Sequence, residues 1–164
     1  MELTAERVRE LLVYEPETGE FRNRIKRNGR AMPGQIAGSP GSCGRKKIKI
    51  DGTFYRTYRL AWLWMTGEWP EDEIDHIDGD PANDRWSNLR QATRSQNLQN
   101  ARIGQRNTSG FKGVSPRKNR WMAQITLHGT AHYLGCFAAP EEAYAAYVAA
   151  AERLFGEFAR LPAK

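Results

Sequence analysis

Between Glu73 and Asn100 the chain reads EIDHIDGDPANDRWSNLRQATRSQNLQN, the stretch richest in groups that can do chemistry. Its pattern predicts a strand over Ile74–Asp78, a wide loop GDPANDRWS, a second strand over Asn88–Ala92, and a helix capped by Thr93 and running through Asn100. Neighbours on a strand point to opposite faces, so Asp75 and His76 diverge. Asn97 falls about one turn into the helix. A carboxylate and an amide oxygen converging beside the strands suit a hard divalent ion that keeps waters and accepts a phosphate oxygen. His76, on the other face, can take a proton from water near neutral pH. Asp78, Asp80 and Asp84 read as loop formers that turn the backbone through Asx hydrogen bonds.

The charge pattern fits a polyanionic partner. The net charge is +6 and the isoelectric point about 9.5. Residues 1–70 carry +5, 71–100 carry −4, 101–139 carry +6 with no acid at all, and 140–164 carry −1. An acidic island able to hold a cation thus lies between basic segments able to hold phosphates. No apolar run approaches the roughly 20 residues needed to cross a bilayer. The opening MELTAERVRELL has no signal-peptide character. Two distant cysteines, Cys43 and Cys136, form no zinc or disulfide framework. These features point to a cytoplasmic protein with reduced thiols, with no membrane partner.

The surrounding elements follow from periodicity and turn chemistry. Thr4 caps a short helix ending near Leu12, and Tyr14–Ile25 reads as a hairpin turning at Glu17-Thr18-Gly19. Residues 26–44 form a loop or a loosely paired sheet edge. Lys47–Ile50 and Thr53–Tyr58 pair across Asp51-Gly52. Arg59–Met65 forms an apolar helix stopped by Gly67, with Trp62, Trp64 and Trp69 in the core. Beyond a polar, basic connector, Phe111–Ser115, Arg120–Leu127 and His132–Phe137 are strands. Pro140 opens a helix whose small-residue face includes Ala143, Ala146 and Ala150, ending at Gly156. His128 and His132 read as turn and edge residues, and Cys136 as a small buried strand residue.

The segment from Glu73 resembles the HNH endonuclease family with its ββα-metal motif, in the branch found on phage and intron homing enzymes. The matching residues are Asp75-His76, Asp78-Gly79, Asn83, Asn88-Leu89-Arg90, Thr93 and Asn97. The resemblance implies that Asp75 and Asn97 bind the metal and that His76 is the general base. It also implies that Asn88 ties down the loop and orients His76. Asn97 as the third letter favours one weakly held Mg²⁺ or Mn²⁺ over zinc. Tyr58 stands where the family often has His. The implied reaction is hydrolysis of double-stranded DNA, leaving a 5′-phosphate and a 3′-hydroxyl, by a monomer that nicks or a homodimer that cuts both strands.

Residues 109–156 resemble the DNA-binding domain of the plant APETALA and ethylene-response-factor type. The marks are Phe-Lys-Gly-Val at 111–114, Trp121 with Ala123 and Ile125, Tyr133-Leu134-Gly135 with Phe137, and Pro140-Glu-Glu-Ala-Tyr-Ala-Ala-Tyr. In that family a three-stranded sheet enters the major groove. Lys112, Arg117, Trp121, Gln124 and Tyr133 fall on contact positions, and Arg120 adds charge beside them. Ser115, Thr126 and Ala131 stand where the plant domains place arginines, so the plant target sequence does not carry over. The expected fold is therefore α+β: an N-terminal β-rich segment over residues 1–70, a ββα-metal core over 71–102, a linker over 103–110, and a small three-stranded antiparallel sheet with a helix over 111–164. The expected function is metal-dependent DNA cleavage by the core, with positioning by the C-terminal domain. The alternatives are a catalytically inactive DNA-binding regulator and an RNA-directed protein. The groove-reading sheet argues against the RNA alternative, since A-form RNA hides its major groove.

Overall fold

A computed structural model describes residues 2–27, 31–41, 44–101, 103–104 and 107–159. Cys43, Arg102, Gln105 and Arg106 lie outside the described residues. The fold mixes helices with antiparallel sheets, as α+β requires, and divides into two compact units, Met1–Ala92 and Thr93–Lys164.

The first unit is built around one apolar core. Helix α1 (Ala5–Leu11) starts at Thr4, whose hydroxyl accepts from the Arg7 N–H at 3.3 Å, and it buries Ala5, Val8 and Leu11. The chain then turns into a hairpin of β1 (Leu12–Glu15) and β2 (Glu20–Asn23). Strands β3 (Ser39–Pro40), β4 (Lys46–Ile50) and β5 (Thr53–Arg56) form a second antiparallel sheet, with Asp51-Gly52 as the predicted two-residue turn. Among its described residues the Gly/Pro/Arg-rich stretch contributes a two-residue edge strand and a bridge from Ile36 to Arg22. Alternation along β4 sends Ile48 and Ile50 inward and Lys47 and Lys49 outward. Helix α2 (Thr57–Thr66) follows β5 and ends at left-handed Gly67, as expected. Leu60 and Leu63 join Leu12, Phe21, Ile48 and Ile50 in the core, and Trp62, Trp64 and Trp69 pack partly buried against it. Strands β6 (Glu73–His76) and β7 (Leu89–Ala92) pair antiparallel, and a single 3₁₀ turn, Trp86–Asn88, leads into β7.

One close approach locks the β1–β2 turn onto the loop between β6 and β7. A Cβ on Gly19 would lie 2.4 Å from the Asp84 carbonyl carbon, at a backbone φ of +74° that side chains disfavour. Only glycine fits there, so the hairpin turn and the loop carrying Asp84 are fixed together.

The second unit starts with helix α3 (Arg94–Asn100), held by a full capping box between Thr93 and Gln96. Asn107 and Ser109 stitch the connector to the strand that follows, through hydrogen bonds to the carbonyls of Phe111 and Val114. Strands β8 (Val114–Arg117), β9 (Arg120–Leu127) and β10 (Thr130–Phe137) form an antiparallel sheet in that order, with turns at Lys118-Asn119 and His128-Gly129. Helix α4 (Pro140–Phe155) covers one face, burying Ala143, Tyr147, Ala150 and Ala151 against Ile125 and Ala123. Gly113 permits that approach: a Cβ there would lie 2.1 Å from the Tyr147 ring.

Candidate active site

Asp75 and His76 are the last two residues of β6, and both are buried, at 3% and 6% exposure. In register, Asp75 faces Arg90 and His76 faces Leu89 across the two-stranded ladder. The cross-strand pair is an ion pair: the Arg90 guanidinium donates to Asp75 Oδ2 from Nε at 3.0 Å and reaches it from Nη2 at 2.9 Å. A buried carboxylate needs such a partner to stay charged.

His76 sits in a hydrogen-bonded chain that the sequence did not announce. Its Nε2 lies 2.9 Å from Asp84 Oδ1, and Asp84 is only 2% exposed. The second Asp84 oxygen accepts from the Thr57 hydroxyl, which also lies 3.2 Å from the Lys46 carbonyl. The Asp84 backbone carbonyl accepts from the Tyr14 hydroxyl at 2.6 Å. Burial, and then the Asp84 charge, push the Tyr14 phenol well above its ordinary value, so Tyr14 stays a donor. An ionised carboxylate only accepts, so His76 must donate from Nε2, and a neutral ring then carries its lone pair on Nδ1. Tyr58 packs edge-on against the His76 ring, with centroids 5.4 Å apart, and Arg45 lies over the Tyr58 ring at 5.7 Å.

Asn88 holds the loop. Its Oδ1 accepts from the Asp78 N–H at 3.0 Å, while its Nδ2 donates to Asp78 Oδ1 at 3.0 Å and to the Asn83 carbonyl at 2.8 Å. The Asn88 carbonyl accepts from the Ile77 N–H at 2.9 Å, the residue directly after His76. Asp78 also accepts from the Asp80 N–H and the Asn83 amide, both at 2.7 Å. Burial alone would push the Asp78 carboxyl up, but these hydrogen bonds and the nearby His76 together hold it below the usual carboxylate range. Asp78 and Asp80 are therefore loop formers, as expected. Asp84 is not: it points inward to the histidine.

Asp75, His76 and Asn88 all lie on the first unit, and Asn97 lies on α3 in the second. Among the described residues no group of three or more His, Cys, Asp or Glu side chains forms a metal cluster.

On the second unit, alternation along β9 sorts the expected DNA contacts. Ala123 and Ile125 face α4, so Met122, Gln124 and Thr126 face the open side. Tyr133 is paired with Gln124 and Arg117 with Arg120. Trp121 pairs with Phe137 and packs, partly buried, on Val114, Ala123 and Ala143 beneath α4. Two positions from Ala123, it takes the same face by parity. The Lys112 ammonium donates to the carbonyls of Gln99 and Ala101 at the end of α3. Gln99 in turn donates to the Thr126 carbonyl at 2.8 Å. A cation at a helix C-terminus satisfies carbonyls that have no partner within the helix.

The HNH endonuclease family profile matches residues 55–99, the span from β5 through α3 that contains Asp75, His76, Asn88 and Asn97. Protein 3.8 of Escherichia phage T7 is 40% identical over 91 residues, covering 54% of this chain and 75% of that protein. Residues 55–99 are thus similar to an HNH endonuclease domain. An uncharacterized HNH endonuclease of Acanthamoeba polyphaga mimivirus is 37% identical over 98 residues, covering 59% of this chain and 51% of that one. The HNH span thus includes both the His76–Asp84 pair and the Asn88-locked loop. Among the described residues no helix is long and apolar enough to cross a membrane.

Proposed function

We propose that this protein is a divalent-metal-dependent HNH DNA endonuclease whose C-terminal sheet positions it on duplex DNA. The observation that carries the reading is the buried His76, tied through Nε2 to Asp84 on a loop locked by Asn88. In this reading His76 Nδ1 takes a proton from water as the water oxygen bonds to phosphorus. The P–O3′ bond breaks, and the products are a 5′-phosphate and a 3′-hydroxyl. Asp84 fixes the ring and its tautomer and steadies the charge that the imidazole gains. Asp75 and Asn97 would hold one Mg²⁺ or Mn²⁺, which supplies charge stabilisation at the phosphate and the leaving oxygen. Arg90 orients the Asp75 carboxylate.

The reading for residues 111–164 is a DNA-binding sheet of the APETALA and ethylene-response-factor type. Support comes from its strand order, the helix behind it, and an open face bearing Arg117, Arg120, Gln124 and Tyr133. Trp121 is left out of that contact set, and Lys112 enters it only through the end of α3.

The test is incubation of supercoiled plasmid with the protein and Mg²⁺ or Mn²⁺, resolving nicked from linear forms. Cleavage that disappears in EDTA and returns with either ion is expected. Full cleavage in EDTA, or none with any divalent ion, would overturn the proposal.

A further inference from the structure

The first unit carries a second basic surface, separate from the His76 pair and from the C-terminal sheet. It is a groove of about 620 Å³ whose lining includes Ile25, Lys26, Arg27, Lys47, Lys49 and Phe54. Register explains why the charges gather there. Lys47 pairs with Arg56 and Lys49 with Phe54, so these four side chains share the face of the β3–β4–β5 sheet opposite Ile48 and Ile50. Phe54 is 56% exposed, and the Lys47 and Lys49 ammonium groups lie over its ring at 4.5 and 5.6 Å.

The groove's acid is already neutralised. Asp51 accepts from Arg7 Nε and Nη2, both at 3.0 Å. No carboxylate pairs with Lys26, Lys47 or Lys49 among the described residues. Arg27 is anchored, with Nε donating to Asn23 Oδ1 at 2.9 Å and Nη1 to the Lys49 carbonyl at 3.3 Å. A concave face with this much unpaired positive charge demands an anion or extensive hydration.

Its place on the fold selects among anions. The carbonyl of Lys46, the residue before Lys47, lies 3.2 Å from the Thr57 hydroxyl, and that hydroxyl donates to Asp84, the partner of His76. The basic face therefore begins one residue from the hydrogen-bond chain that ends at His76. Lys47 and Lys49 stand two strand residues apart, roughly 7 Å by strand rise, a spacing that lets each meet a different phosphate along one strand.

We propose that this groove grips the phosphate backbone of the duplex being cut, giving the nuclease unit its own hold on DNA apart from the C-terminal sheet. The inference rests on the reading of DNA as substrate. Lys47 and Lys49 contact phosphates, Arg27 shapes the wall, and Phe54 keeps the two lysines extended across the sheet. Phosphates are the same at every base pair, so a grip made on them is indifferent to sequence.

The experiment is duplex binding by the full chain in EDTA, measured as affinity against salt, so that binding is read without cleavage. The double variant Lys47→Gln/Lys49→Gln should bind on the order of 10-fold more weakly at low salt, with the slope of log affinity against log salt reduced by about 1.8, or about 0.9 per lost phosphate contact. Lys47→Arg/Lys49→Arg should keep both affinity and slope. Wild-type affinity and slope in the Gln variant would overturn the proposal. Equal loss in the Arg variant would overturn it too, because the defect would then lie in packing on Phe54 and not in charge. Failure of plasmid cleavage by the wild-type protein bears only on the nuclease reading, since this assay requires no cleavage.

Discussion

The polar residues around His76 and those on the open face of the C-terminal sheet belong to two different kinds of surface. Around His76 they are buried and mutually saturated: Asp84 meets His76, Thr57 and, through its backbone, Tyr14, while Asn88 makes three side-chain bonds within its own loop. On the C-terminal sheet Arg117, Arg120, Gln124 and Tyr133 are exposed. Burial with full pairing fixes a geometry and makes each member costly to remove, because its partners are left unsatisfied. Exposure leaves side chains free to meet a ligand and makes each one cheap to lose. Chemistry requires the first kind of surface and DNA binding the second. Substitutions in the two regions should therefore fail in different currencies, rate in one and affinity in the other.

The largest effect short of removing the histidine should come from Asp84→Asn. The amide still fills the site, but it no longer compels Nε2 to donate, so the ring can adopt the other tautomer. Cleavage should fall by roughly 10- to 100-fold, the usual size for losing a group that orients a functional histidine. Ring ¹⁵N shifts should report a change of His76 tautomer, a readout that simple loosening of the fold would not produce. An unchanged rate and unchanged shifts would show that Asp84 is only structural.

A smaller effect, in the other currency, should follow Arg117→Gln/Arg120→Gln. Two cations are lost from an exposed face, so affinity should drop and the salt slope should decrease by about 1.8. The melting temperature should barely move. A large loss of stability would mean that these arginines belong to the fold, and the contrast between the two regions would blur.

The smallest effect concerns pH and the site loop. The folded Asp78 carboxyl is held below its ordinary 3.8, so its contribution to stability is fully present above that value and is lost as pH falls through the lower folded value. Asp78 is mostly exposed, and solvent screening keeps the contribution small. Unfolding measured for wild type and Asp78→Ala should differ at neutral pH, with the gap closing only below about pH 3.8. A gap that closes nearer pH 6 would point to a different group.

Much of this organisation was legible in local signals. Asp51-Gly52 and His128-Gly129 gave the hairpins, Gly67 stopped α2, Thr93 opened α3, and Pro140 opened α4. Asp75 and His76 fell on the expected strand, while Asn88, expected to open the second strand, ends the 3₁₀ turn just before it. The role of Asp84 was not legible, because an aspartate in DPANDR looks like any turn former. Its partners Thr57 and Tyr14 lie 27 and 70 residues earlier in the chain, and only tertiary packing brings them to it. The packing of Trp121 was legible too: spaced by two from Ala123 and by four from Ile125, it shares their inward face. Lys112 carries no local mark of its task, since the carbonyls it caps belong to a helix ending before the connector.

The central claim is that the buried pair in the first unit does the chemistry and the exposed faces do the binding. The measurement that tests it most directly is single-turnover nicking of plasmid by His76→Ala with Mg²⁺, alongside duplex affinity in EDTA. The account predicts a rate lower by roughly 10²-fold or more, the usual size of a general-base loss, with duplex affinity close to wild type. A variant that nicks at the wild-type rate, or that loses affinity in proportion to its rate, would contradict it.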